Sequence, residues 1–251
     1  MKNYAFLLLF FAAISFSACK DGGGSVTPNN FTLTFRATYD GQLLEKYKNY
    51  PYGDKVVMFD KFNTYLSDIT LVNSATEIKL SDIEWVNFTP DLTADDKSVE
   101  VTYKFTVPDG DYSGLKLGYG VRSDMNATSP ANYSPGHPLY VESEYWSGWK
   151  SYIFAKIQGK VDLDGDSTPE TNIFYHCGSD PVYNEATING AIHVAGTGSM
   201  VVEFDLKKIF TFNGQLLDLT VPTNQTTSHD ASNIALGQKM IGNFKNGTVL
   251  K

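Results

Sequence analysis

Apolar residues return at every second position through most of this chain, and that rhythm limits what it can fold into. Phe31, Leu33 and Phe35 alternate with Thr and Arg over 31–38. Val99, Val101, Tyr103 and Phe105 do the same over 98–106, and Met200, Val202, Phe204 and Leu206 over 199–206. A period of two is that of a strand with one face buried and the other wet. Turn signals such as Tyr39-Asp40-Gly41-Gln42 and Pro108-Asp109-Gly110-Asp111 come about every ten residues. Further strands are expected over 56–72 (two, or one long bent one), 77–80, 84–88, 114–121 and 186–194. The Tyr-rich stretch 46–55 and the Pro-containing 126–137 are expected as loops. Helical spacing survives only over 231–244, through Ile234, Ile241 and Phe244, with Ser228 or Asp230 as its cap. Gly237 and Gly242 each cost that helix about 1 kcal/mol and keep it short. The pattern predicts an all-β fold: an antiparallel β-sandwich with a short C-terminal helix.

The first residues bear on the compartment. Lys2 is followed by the apolar run Ala5–Phe16 and then by Ser17-Ala18-Cys19. The run is about half of the ~20 residues a bilayer requires, so 1–18 reads as a signal peptide. A small residue before Cys19 resembles a bacterial lipobox, in which the cysteine becomes the lipidated first residue. Lys20-Asp21 resembles the surface-export signal of Bacteroidetes-type lipoproteins. Residues 19–30, rich in Gly and Ser with Pro28, form a flexible tether. No repeat, second linker or charge block divides 31–251, so one domain is expected. The expected location is the outer membrane, at the cell surface or facing the periplasm. A net charge of −8 argues against nucleic acid and anionic lipid surfaces. With Cys19 lipidated only Cys177 remains, which excludes an intrachain disulfide.

The candidate chemistry lies between Trp146 and Gly178. Ile153, Ala155 and Ile157 alternate with Tyr152, Phe154, Lys156 and Gln158; Ile173, Tyr175 and Cys177 then alternate with Phe174 and His176. That is one hairpin, and its tip carries Asp162, Asp164, Asp166 and Glu170. Carboxylates at alternate positions around a glycine can converge on one hard cation, and calcium takes six to eight oxygens. The loop begins like an EF-hand but has Ile173 where the twelfth-position glutamate would be, so it is closer to the calcium loops of extracellular β proteins. A solvated acidic tip is the alternative. Of the four histidines, His176 shares a strand face with Phe174, and His229 stands at the predicted helix start, where the dipole disfavours imidazolium. Imidazoles of this kind suit copper or zinc. His137 and His193 have no assigned role, and Cys177 is expected in the core. Trp146 and Trp149 are core anchors, a sugar-stacking platform or sites of oxidation. No nucleophile elbow and no phosphate-cradling glycine loop occurs, so the chain reads as a binding protein and not an enzyme.

FTLTF at 31–35, YLSDITL at 65–71, VPDGDYSGLKLGYGV at 107–121, WKSYIFAKIQG at 149–159, NIFYHCG at 172–178 and SHDASNIALGQKMIGNF at 228–244 occur in that order. Together they resemble the MbnP-like family of periplasmic and surface copper proteins, associated with methanobactin operons and methanotroph copper scavenging. The resemblance implies a β-rich fold and a mononuclear copper site with histidine ligands, here His176 and His229. It also implies, in some members, a tryptophan oxidised by a separate di-haem partner enzyme. Trp149 or Trp146 matches that position, but the family's W-x-W spacing is W-x-x-W here, and Ser151 replaces the usual glycine. The expected function is copper acquisition or storage by a lipid-anchored protein, with calcium bracing 162–170. The competing expectation is a calcium-stabilised surface module for glycan or protein partners.

Overall fold

The computed structural model describes residues 28–90, 100–227 and 234–251. The signal peptide expected over 1–18, Cys19 and His229 lie outside the described residues. Strand β1 (Pro28–Tyr39) takes in the last three residues assigned to the tether, with Pro28 placed opposite Pro108. Proline is tolerated there because the first residue of a strand need not donate to the ladder. Along β1 the alternation resolves as expected: Phe31, Leu33, Phe35, Ala37 and Tyr39 are buried, with Thr32, Thr34 and Arg36 half-exposed between them. The chain turns at Asp40 (φ 52°) and Gly41 (φ 76°), the left-handed pair that an Asp-Gly hairpin requires.

Further strands are β2 (Lys55–Val72), β3 (Glu77–Asn87), β4 (Glu100–Pro108), β5 (Gly110–Tyr119) and β6 (Tyr145–Trp146). They continue with β7 (Ser151–Val161), β8 (Thr171–Gly178), β9 (Asn184–Val194), β10 (Thr197–Asp205) and β11 (Thr226–Thr227). Helix α1 (Ile234–Gly247) leads into β12 (Thr248–Leu250). A five-stranded sheet has the order β12–β10–β1, with Gln42–Leu43 and β4 on the other edge of β1. A nine-stranded sheet runs β9–β5–β2–β7–β8–β11, with β3 and Asn49–Tyr52 also on β2 and β6 on β7.

The two sheets and α1 share one aromatic core, and the fold is a β-sandwich. Phe204 of β10 lies 6.4 Å from Phe62 of β2, and Phe244 of α1 lies 6.2 Å from each. Helix α1 runs through Gly237 and Gly242 because Leu236, Met240, Ile241 and Phe244 are buried. Packing outweighs the propensity cost. A Cβ on Gly237 would stand 3.6 Å from Val182 and 3.9 Å from Cys177, so the helix lies close over the end of β8.

Over 56–72 the second of the two expectations holds, one long strand bent at Asp68 (φ 50°). Three details depart from the sequence-based expectations. Residues 77–87 form one strand, not two. The stretch expected as loop over 46–55 contains Asn49–Tyr52, which pairs with the start of β2. Two pairings are parallel within an otherwise antiparallel arrangement: β1 with β10 (Phe35 opposite Val202) and β8 with β11 (Tyr175 opposite Thr227). Alternation reports which face is buried and is silent on strand direction, which explains why parallel neighbours were not foreseen.

Candidate functional site

The β7–β8 hairpin forms in the expected register. Ile157 pairs with Tyr175 and Ala155 with Cys177 on the buried face; Lys156 pairs with His176 and Gln158 with Phe174 on the outer face. His176 is half-buried, its Nε2 lies 2.5 Å from the Gln158 side-chain amide, and the Phe174 ring stands 6.4 Å away, nearly edge-on. Phe174 itself is 41% exposed. An ammonium opposite an imidazole would oppose any metal there, but Lys156 is already engaged. Its Nζ lies 3.1 Å from Glu144 Oε2 and donates to the Ser143 carbonyl at 2.6 Å. Glu144 is buried, with the Asn63 amide 3.5 Å from its other oxygen. The donor type and the local charge balance therefore fit a copper ion.

Beyond β8 the sheet ends with β11, where Thr226 and Thr227 run parallel to Phe174 and Tyr175. The described chain stops at Thr227 and resumes at Ile234, so the pairing of His176 with His229 is not described. Cys177 faces the opposite side of the sheet, as expected. It is buried, burial pushes its thiol up to about 12, and Thr227 Oγ1 lies 4.0 Å from its sulfur. Such a thiol resists forming the thiolate that ligates metals.

The tryptophans sit at the entry to β7. Trp146 pairs across from Ser151, and the indoles of Trp146 and Trp149 are tilted at 38° with centroids 5.9 Å apart. Both are half-buried, neither sunk in the core nor fully open. Trp149 N–H donates to the Trp146 carbonyl at 3.2 Å, closing the turn between them. A Cβ on Gly148 would come within 2.6 Å of Trp146 Nε1, so only glycine lets the indole lie over this turn. Asn126 ties the entry of β7 to the exit of β8: its Oδ1 accepts from Tyr152 N–H at 2.8 Å and Ser151 Oγ at 3.1 Å, and its Nδ2 donates to Asp180 at 2.7 Å. Ser151 Oγ in turn accepts from Ser179 N–H at 3.0 Å.

The acidic tip is ordered by its own backbone. Asp162 is buried and accepts from the N–H groups of Gly165 (2.7 Å) and Ser167 (2.8 Å). Asp164 accepts from Asp166 N–H, Asp166 from Thr168 N–H, and Glu170 from Leu163 N–H. One oxygen from each of Asp162, Asp164, Asp166 and Glu170 lies within 4.8 Å of the others. The remaining described histidines are elsewhere. His137 stacks on Tyr133 at 4.2 Å, its Nδ1 accepts from Leu139 N–H, and burial lowers its pKa. His193 meets Asp111 at 2.6 Å on β9, with three strands between it and β8, about 19 Å at ~4.8 Å per step.

A family model described as MbnP matches residues 28–232. The chain belongs to the MbnP family. Among solved structures, MbnP from Methylosinus trichosporium is similar over 74% of this chain and 78% of that one, with a TM-score of 0.51 and 15% identity. At that identity the likeness speaks for the fold. No curated protein matches the chain by sequence. Within this MbnP fold, Gln158, Glu144, Lys156 and Asn126 are the site residues that sequence reasoning missed. Period two alone puts Gln158 on the face of His176 and Phe174. Glu144 and Asn126 gave no such signal, because they arrive from the 122–146 excursion.

Proposed function

We propose that this MbnP-family protein is an outer-membrane lipoprotein, anchored through Cys19 at the cell surface or facing the periplasm, that binds copper for acquisition or storage. His176 and His229 are the ligands in this reading, and copper is cargo, so the protein is not an enzyme. The observation that carries it is the setting of His176: a half-buried imidazole held by Gln158, beside a lysine whose charge Glu144 already neutralises. Two imidazoles are a donor set that copper favours.

Metal analysis of protein purified without chelator tests this. About one equivalent of copper, lost in both His176→Ala and His229→Ala, is the expected result. Copper absent from the wild type, or retained by either variant, overturns it. Trp149 or Trp146 is the site of oxidation by a separate di-haem enzyme, read out as a mass increment on the tryptic peptide that carries it. The convergent carboxylates at 162–170 favour calcium as a brace of the hairpin. Binding to a polysaccharide array by protein free of transition metal would instead support the glycan-binding module, with Trp146 and Trp149 as its platform.

A further inference from the structure

We propose that Asn213, at the tip of the hairpin formed by Thr211–Phe212 and Gln215–Leu216, is a site of spontaneous deamidation that yields aspartate and isoaspartate. Asn213 (φ 51°) and Gly214 (φ 79°) make the turn, and both are exposed. Asn-Gly is favoured in such turns because both residues must take positive φ. The reaction needs no oxidant and no cofactor. The Gly214 nitrogen gives its proton to solvent base and attacks Asn213 Cγ. The bond from Cγ to the side-chain nitrogen breaks, and ammonia leaves after taking up a proton. Water then opens the cyclic imide at either carbonyl and leaves one carboxylate. Glycine has no Cβ to crowd the attacking nitrogen, and a Cβ built on Gly214 would meet nothing within 4 Å.

Asn213 stands apart because the fold immobilises the other Asn-Gly steps. Asn246-Gly247 lies inside α1: the Asn246 amide donates to Asn243 Oδ1 at 2.5 Å, and a Cβ on Gly247 would stand 2.5 Å from Ile209. Asn189-Gly190 lies inside β9, with Asn189 opposite Gly114 and Leu250 against Gly190. At two Asp-Gly turns the attacking N–H is already engaged. Gly41 N–H donates to Asp205 at 3.1 Å, and Gly165 N–H to Asp162 at 2.7 Å. Gly214, by contrast, sits outside both ladder pairs, Thr211 with Leu216 and Phe212 with Gln215. So short a ladder opens locally at small cost. The base of the hairpin is held: Asn243 Nδ2 donates to the Thr211 carbonyl at 2.9 Å, and Leu217 N–H to the Phe210 carbonyl at 2.8 Å. Conversion therefore adds a negative charge to a chain of net charge −8 while the sandwich stays folded. As isoaspartate it also adds a backbone methylene, which shifts Phe212 from its place opposite Gln215.

Peptide mass mapping of the native protein, held at mildly alkaline pH and sampled over days, tests the inference, with isoaspartyl methyltransferase labelling to mark the isoaspartate. Asn213 is expected to convert at least about tenfold faster than Asn189 and Asn246, which serve as controls within the same molecule. In urea, where the fold restrains none of them, the rates should converge. Asn213→Gln, whose longer side chain closes the ring poorly, is expected to lose the methyl-acceptor signal and keep its far-ultraviolet circular dichroism. An Asn213 that stays intact, or that converts no faster than either control in the folded protein, overturns the inference. So does an Asn213 that keeps its whole lead in urea, since the fold would then have no part in the selection.

Discussion

Lys156 and His176 are cross-strand partners on the outer face of the β7–β8 hairpin, and the lysine's ammonium is held by Glu144, with Oε2 at 3.1 Å. The pair is largely shielded: the side chains of Lys156 and Glu144 are 12% and 4% exposed. Attraction between such groups barely offsets their desolvation, so the pair adds little net stability while intact and costs a great deal when halved. Its more direct consequence is for charge, since it removes a positive field from the imidazole opposite.

Glu144→Gln is expected to lower stability by about 3 kcal/mol in urea denaturation, because it leaves a mostly buried ammonium unpaired. It should also weaken Cu(I) binding, since an uncompensated charge is then carried by the cross-strand neighbour of His176. Adding Lys156→Met should recover most of both losses. A double variant that regains stability but not affinity would show that Glu144 acts on the metal by another route.

The alkaline limit of stability follows from the buried acids. Burial pushes the Cys177 thiol from its ordinary value of about 9 up to about 12, and the Tyr152 and Tyr183 phenols from about 10 up to about 12. Between the ordinary and the raised value the folded state keeps a proton that the unfolded chain has lost. Stability is therefore complete below about pH 9 and falls as pH climbs toward 12, by up to about 1.4 kcal/mol per pH unit for each such group. The urea midpoint should be level between pH 7 and 8.5 and drop steeply by pH 10.5. Cys177→Ala should soften the first part of that drop, between pH 9 and 10.

The alternation of Ile153, Ala155 and Ile157 against Ile173, Tyr175 and Cys177 made the hairpin, its register and the outward face of His176 legible in advance. So did the apolar spacing of Ile234, Ile241 and Phe244 for α1. Those signals are local, and they report burial. What stayed hidden depends on chain segments meeting from afar: β1 beside β10 in parallel, or Glu144 arriving over Lys156. The gap expected between strands 77–80 and 84–88 is closed: Ile83 and Val86 are buried and Lys79 bonds both Asp68 and Asp82, so one strand carries straight through.

Calcium at the hairpin tip would add binding energy to folding. Four carboxylates already aligned by backbone N–H groups need little reorganisation, so titrating calcium into chelator-treated protein is expected to raise Tm, by an amount equivalent to ~2.7 kcal/mol at a hundredfold excess over Kd. Asp164→Asn with Asp166→Asn should abolish the rise. Those changes should leave Cu(I) affinity within about twofold, because distant sites without shared partners act independently. An unchanged Tm in the wild type would mark the tip as a self-bonded acidic turn.

The tryptophan turn offers a test of how tightly the indoles are placed. A methyl group at position 148 meets Trp146 Nε1 at 2.6 Å, well inside van der Waals contact, so Gly148→Ala must rotate the indole or open the turn. Ser147 and Gly148 are exposed at the tip of the turn, so overall stability should change by less than about 1 kcal/mol. Near-ultraviolet circular dichroism should change clearly, since Trp146 and Trp149 form a coupled pair at 5.9 Å. If oxidation of one indole requires this geometry, the same variant should lose the mass increment while still binding copper through its histidines. An unchanged spectrum would mean that the turn yields before the indole does. An increment that persists would mean that the partner enzyme recognises the tryptophan without regard to its partner's tilt.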